Sequence, residues 1–162
     1  MITTASNTPF DSEATYRASI DVVIAIAQNE IRIFDRDLQQ MQIENPQRIA
    51  QLVAFLTGGK DRKLRLFLHE TGLIEQRMPR LTEVLRNYGH LVETRRTPDN
   101  LRHLADCWVL ADQCHGVIRF HADHARGKLV TQIPEEISPW WRRSEDLYEE
   151  CELCFPGATV GL

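Results

Sequence analysis

Between Glu30 and Arg95 the apolar period switches from two residues to about 3.6 and back, twice over, and this switching limits the available folds more than any other feature of the chain. Lys63 to His69 is the clearest strand, with Leu64, Leu66 and Leu68 on one face and Arg65 and Phe67 on the other. The run Glu30-Ile31-Arg32-Ile33-Phe34-Asp35 reads as a strand before it, and His90 to Arg95 as a strand after it. Asn45-Pro46 is a cap followed by a first-turn proline, and it opens a helix that turns Ile49, Leu52, Val53 and Leu56 inward and stops at Gly58-Gly59. Pro79 opens a second connecting helix, carrying Leu81, Val84, Leu85 and Tyr88 and ending at Gly89. Crossovers of this length join parallel strands and are right-handed. The order β-α-β-α-β predicts an α/β fold with a mixed, mostly parallel sheet flanked by helices.

The flanks complete the outline. Residues 1–11 are polar and aperiodic and read as a disordered N-terminal arm. Ser12 caps a helix with Tyr16, Ile20, Val23, Ile24 and Ala27 on one face. After a turn at Thr97-Pro98-Asp99-Asn100, Asp106 to Asp112 and Val117 to His121 read as a hairpin, followed by a short Leu129 to Gln132 segment. Ser138-Pro139 predicts the start of a last helix with Trp140, Ser144, Leu147, Tyr148 and Cys151 on one face and Trp141 exposed. The reading is one α/β domain over 12–155 and a C-terminal tail over 156–162. With 162 residues, 43% hydrophobic and 26% charged, the chain has the size and composition of one self-sufficient domain. A net charge of −4 disfavours a general grip on nucleic acid or anionic membranes. The longest apolar run, Val22 to Ala27, is far short of a span, and the first residues show no secretory pattern. A cytoplasmic setting without membrane contact is expected, with the four cysteines as free thiols.

The run Ala105-Asp106-Cys107-Trp108-Val109-Leu110-Ala111-Asp112 resembles a degenerate form of the phospholipase D signature, His-x-Lys-x-x-x-x-Asp. Length, apolar interior and terminal Asp112 match, but Ala105 stands in the nucleophile's place and Cys107 in the lysine's. On the following strand, Arg119-Phe120-His121 stands where the family places Gly-Ser and Asn or Glu. The resemblance covers Glu30 to Cys151 and implies a bacterial half-domain of that superfamily that has lost its catalytic motif. It also implies a homodimer, because the family's sites form where two such motifs meet. The face expected for that contact includes the ends of the Asp106 to Asp112 strand, with Trp141, Arg142 and Arg143. Covalent phosphodiester cleavage needs a nucleophile and cations at the pentavalent transition state, and alanine with cysteine supplies neither.

Other clusters carry weaker expectations. Arg95, Arg96, Arg102 and Arg119 lie near the sheet end where the resemblance would put the family's phosphate site, which makes them the candidate anion-binding residues for a phosphate ligand or nucleic acid strand. Cys151-Glu152-Leu153-Cys154 has half the spacing of a zinc site, and Cys107 with Cys114 would be the other half. His121-Ala122-Asp123-His124 does not converge on a metal if it forms a strand. No metal and no cofactor is expected. The leading functional expectation is a noncatalytic binding or interaction module acting through a dimer or a protein partner. The alternatives are a phosphodiesterase or phosphotransfer enzyme using other residues, and a small zinc-stabilised regulatory domain.

Overall fold

The structure, a computed structural model, describes residues 4–157. Its elements in chain order are β1 (Ser6–Phe10), α1 (Glu13–Ile26), β2 (Glu30–Asp35), α2 (Pro46–Thr57), β3 (Lys63–Leu68), α3 (Gly72–Arg77), α4 (Pro79–Asn87), β4 (Val92–Arg96), β5 (Cys107–Ala111), β6 (His115–His121), β7 (His124–Thr131), α5 (Pro134–Glu150) and β8 (Glu152–Cys154). They build one open eight-stranded sheet in the order β1-β7-β6-β5-β2-β3-β4-β8, flanked by helices on both faces. The expected mixed α/β class holds, with a smaller parallel share than the sequence suggested. Only β2–β3 and β3–β4 run parallel, because every strand outside that trio joins the sheet antiparallel. No helix among the described residues is long and apolar enough to cross a membrane.

Local chemistry explains the starts of two helices. The Ser12 hydroxyl accepts the Thr15 amide at 3.1 Å, and the Asn45 side chain accepts those of Gln47 and Arg48 at 2.9 and 3.4 Å. Strand alternation then divides the core. Ile31, Ile33, Leu64, Leu66, Leu68 and Val109 meet α1, α2 and α4 on one face, while Phe34, Phe67, Trp108 and Leu110 meet α5 on the other.

Four expectations are corrected. The arm expected over residues 1–11 is, from Ser6 onward, the edge strand β1, paired antiparallel with β7 and with Phe10 buried. Its polar residues hid it because the strand has one bare edge. Residues 1–3, and the part of the expected tail from 158 on, lie outside the described residues. The Leu129 to Gln132 segment is the end of a full strand, β7. The last helix begins at Pro134 rather than Ser138, with Pro139 inside it. That shift turns Trp141, only 8% exposed, inward, and leaves Trp140 partly buried at the margin.

Candidate functional site

The carboxyl ends of β2 and β3, with the loop leading into β5, form a small cleft where open α/β sheets usually place ligands. Two features shape it. Asp35 ends β2, and the register that sets Phe34 opposite Trp108 carries Asp35 to Cys107 at the start of β5. Cys107 in turn sits across from Arg119 of β6. Tyr16 of α1 closes over this group, with the Arg119 guanidinium 4.7 Å from the centre of its ring.

The cluster is dry. Asp35 Oδ2 accepts the amides of Leu38 at 2.7 Å and Asp37 at 3.3 Å, while Oδ1 has no hydrogen-bond partner among the described residues. Burial pushes the Asp35 carboxyl upward against the pull of those amides. Burial first, and the neighbouring Asp35 charge second, also push up the Cys107 thiol and the Tyr16 phenol. Arg119 does not offset this for an incoming anion. It is 1% exposed, pairs with Glu13 at 2.7 Å and donates to the Ala122 carbonyl at 2.8 Å. Thiolate and phenolate are therefore both disfavoured here, which leaves no ready nucleophile in the cluster.

On the solvent side of Cys107 the cleft holds about 90 Å³ and is lined by Arg36, His69, Arg102, His103 and Ala105, among others. That is far below the roughly 300–1,000 Å³ of small-molecule sites. Its buried imidazole is already engaged at both nitrogens. His69 Nε2 donates to the Leu104 carbonyl at 2.8 Å, and Nδ1 lies 2.7 Å from the Thr97 hydroxyl. A carbonyl can only accept, so Nε2 carries hydrogen and presents no lone pair to a substrate. Arg36 lies 3.7 Å from Asp123, and Arg102 pairs with Glu70. His103 is exposed.

The residues singled out from sequence divide accordingly. Ala105 and Cys107 line this cleft together. Asp112 does not join them: it lies five residues further along an extended strand, about 17 Å away. There its carboxylate accepts the amides of Gln28, Asn29 and Glu30 at 2.8, 2.8 and 3.0 Å, pinning the entry to β2. The candidate anion-binding arginines do not converge either. Only Arg102 lines the cleft. Arg119 is buried beneath it. Arg95 lies on the α5 side, 2.9 Å from Glu93 and 3.9 Å from the Tyr148 ring centre, and Arg96 pairs with Glu152 at 3.5 Å. Each arginine already faces a carboxylate.

The zinc alternative fails on sheet order. Cys107 and Cys114 belong to β5 and the turn after it, Cys151 and Cys154 to the β8 edge, and four strand spacings of about 4.8 Å separate those strands by about 19 Å. Four thiolates about 2.3 Å from one zinc cannot be drawn from such places. Among the described residues no group of three or more His, Cys, Asp or Glu is placed to hold a metal. His121 and His124 simply flank the β6–β7 turn as a cross-strand pair.

Trp141, expected as an exposed interface anchor, lies instead against the Arg32 guanidinium at 3.8 Å from its ring centre. Arg32 is buried under α5, donating to Ser144 Oγ at 2.7 Å and Glu145 at 2.9 Å. Sequence reasoning missed the Tyr16–Asp35–Cys107–Arg119 cluster as a unit. The one available signal was an aspartate ending an otherwise apolar strand, as Asp35 does.

A mixed sheet of this order, with its cleft at the carboxyl ends of β2 and β3, defines a phospholipase D-like fold. Nuc from Salmonella typhimurium, a phospholipase D family member, superposes with a TM-score of 0.69 at 15% identity, covering 93% of this chain and 99% of that one. NucT from Helicobacter pylori gives 0.57 at 12% identity, covering 93% and 100%. The archaeal chromatin protein TrmBL2, whose structure shows a novel mode of DNA binding, gives 0.66 at 10% identity over 91% of this chain. The chain spans about half of TrmBL2, covering 54% of it. No curated protein matches the sequence. The chain belongs to the family described as Domain of unknown function (DUF7931), whose model matches residues 12–155.

Proposed function

We propose that the chain is a noncatalytic binding module: a phospholipase D-like half-domain that works by holding a ligand or partner rather than by turnover. One observation carries this reading. At the degenerate motif, Ala105 brings no functional group, and the Cys107 thiol is held protonated by burial beside Asp35. An enzyme reading at this cleft has to rely on one of its two histidines, His69 or His103. The first is engaged at both nitrogens, and the second has no carboxylate partner among the described residues.

The test is hydrolysis of bis(p-nitrophenyl) phosphate and of single-stranded DNA by the purified chain. We expect no turnover above buffer. Turnover that vanishes in His103→Ala or Cys107→Ser would overturn the reading.

Self-association through the cleft is part of the proposal, since a half-domain presents only one of the two motifs that meet in the family. Phe120, 56% exposed at the end of β6 and two residues from Ala122 of the cleft wall, supports that face. Light scattering is expected to give a C2 dimer that Phe120→Glu dissociates. A strict monomer at micromolar concentration would remove this part of the proposal.

A further inference from the structure

A larger cavity opens at the other end of the parallel strands, against the β4–β8 edge. It holds about 450 Å³, within the range of small-molecule sites. We propose that it binds a small amphiphilic carboxylic acid, with the apolar chain inside and the carboxylate at the mouth. This rests on the reading of the chain as a binding module and names a ligand class for it.

The walls come from α4, the starts of β3 and β4, and β8, so the space is a pocket rather than a flat sheet edge. Leu85, Leu91, Leu153 and Phe155 give it an apolar lining. Leu153 is 44% exposed and Phe155 71%, two large apolar side chains left bare beside an empty volume. Contiguous apolar exposure of this kind marks a binding surface more often than scattered single residues do.

Charge selects the head group. Lys63 and Arg86 line the same cavity, are exposed, and have no ion-pair partner among the described residues. His90 stands beside them. The third strong cation of the lining, Arg65, is shared between Glu30 at 3.6 Å and Glu93 at 3.8 Å. Glu93, the one carboxylate in the lining, is itself 2.9 Å from Arg95. The lining therefore keeps uncompensated positive charge on a molecule whose net charge is −4. A mouth of that sign attracts a carboxylate and rejects a cation of equal length.

The test titrates the full chain with sodium decanoate, with decanol and decyltrimethylammonium as its uncharged and cationic counterparts, while amide chemical shifts are followed. Saturable decanoate binding is expected, with shifts at Leu64, Leu91 and Leu153 to Phe155. The exposed double variant Lys63→Glu/Arg86→Glu should weaken decanoate at least about tenfold and leave decanol unchanged. Absence of saturation up to about 1 mM decanoate would overturn the proposal. So would shifts confined to other regions, or equal binding of the cationic analogue. A dimer dissolved by Leu153→Glu/Phe155→Glu, without decanoate binding, would give the surface to a second copy and equally overturn it. Hydrolysis is not read in this experiment, so its failure leaves the noncatalytic reading standing, and phosphodiesterase turnover would leave this pocket standing.

Discussion

Asp35 is a carboxyl whose charged form burial disfavours, and the sign of its effect on stability follows. Its folded pKa is raised above the ordinary 3.8, so the folded state binds more protons than the unfolded state between those two values. The stabilisation by the protonated form is full below 3.8 and is lost as pH rises through the folded value. Asp35→Asn imitates the neutral acid and keeps an oxygen for the Leu38 and Asp37 amides. It should therefore gain on the wild type between about pH 4.5 and about pH 7.5 in urea unfolding. Equal differences at both pH values would contradict this. Asp35→Ala strands the Leu38 amide and should cost about 1–3 kcal/mol at either pH. Asp37, Cys107 and Tyr16 face the same carboxyl, and the asparagine variant removes one of the influences that raise the Cys107 thiol and the Tyr16 phenol.

At the scale of elements, Asp112 shows how one carboxylate can tie two strands together. It has φ +56°, a left-handed backbone that aspartate tolerates better than most residues, and it ties three amides before and at the start of β2 to the end of β5. Asp112→Ala removes the acceptor and keeps the strained backbone, and should cost about 2–3 kcal/mol. Asp112→Asn should cost less than about 1 kcal/mol, read from denaturant midpoints. An alanine variant as stable as the asparagine variant would show that the carboxylate anchors nothing. The parallel trio β2, β3 and β4 and their two crossover helices were legible from sequence, because both faces of those strands bear on packed layers and caps mark the helices. β1 and β8 were not legible, since a short edge strand has no periodic apolar signature. The start of α5 was misread for a different reason. Two proline signals, Pro134 and Ser138-Pro139, compete there, and the earlier one opens the helix. The cover over Arg32 and Arg65 was not legible either, because arginines alternating along a strand carry no mark of burial, whereas α5 lays Trp141 and Tyr148 over both.

At the scale of the whole molecule, the fold stands beside a cleft of particular chemistry. A fold similar to that of a phospholipase D family member sits on a chain whose strand-end cleft pairs its cations with carboxylates, occupies both nitrogens of its buried imidazole and keeps its thiol protonated. The roomier pocket lies at the opposite, amino ends of the parallel strands. A scaffold can persist while its site is remade, because the core that sets the sheet is separate from the few side chains that do chemistry. The most direct measurement is a rapid quench into alkaline denaturant, which preserves a phosphohistidine, after the chain is mixed with a reactive phosphodiester, with its intact mass recorded over time. An unchanged mass at all times is the expected result. A phosphoryl adduct that forms and decays, and that maps to His69, His103 or Cys107, would contradict the account.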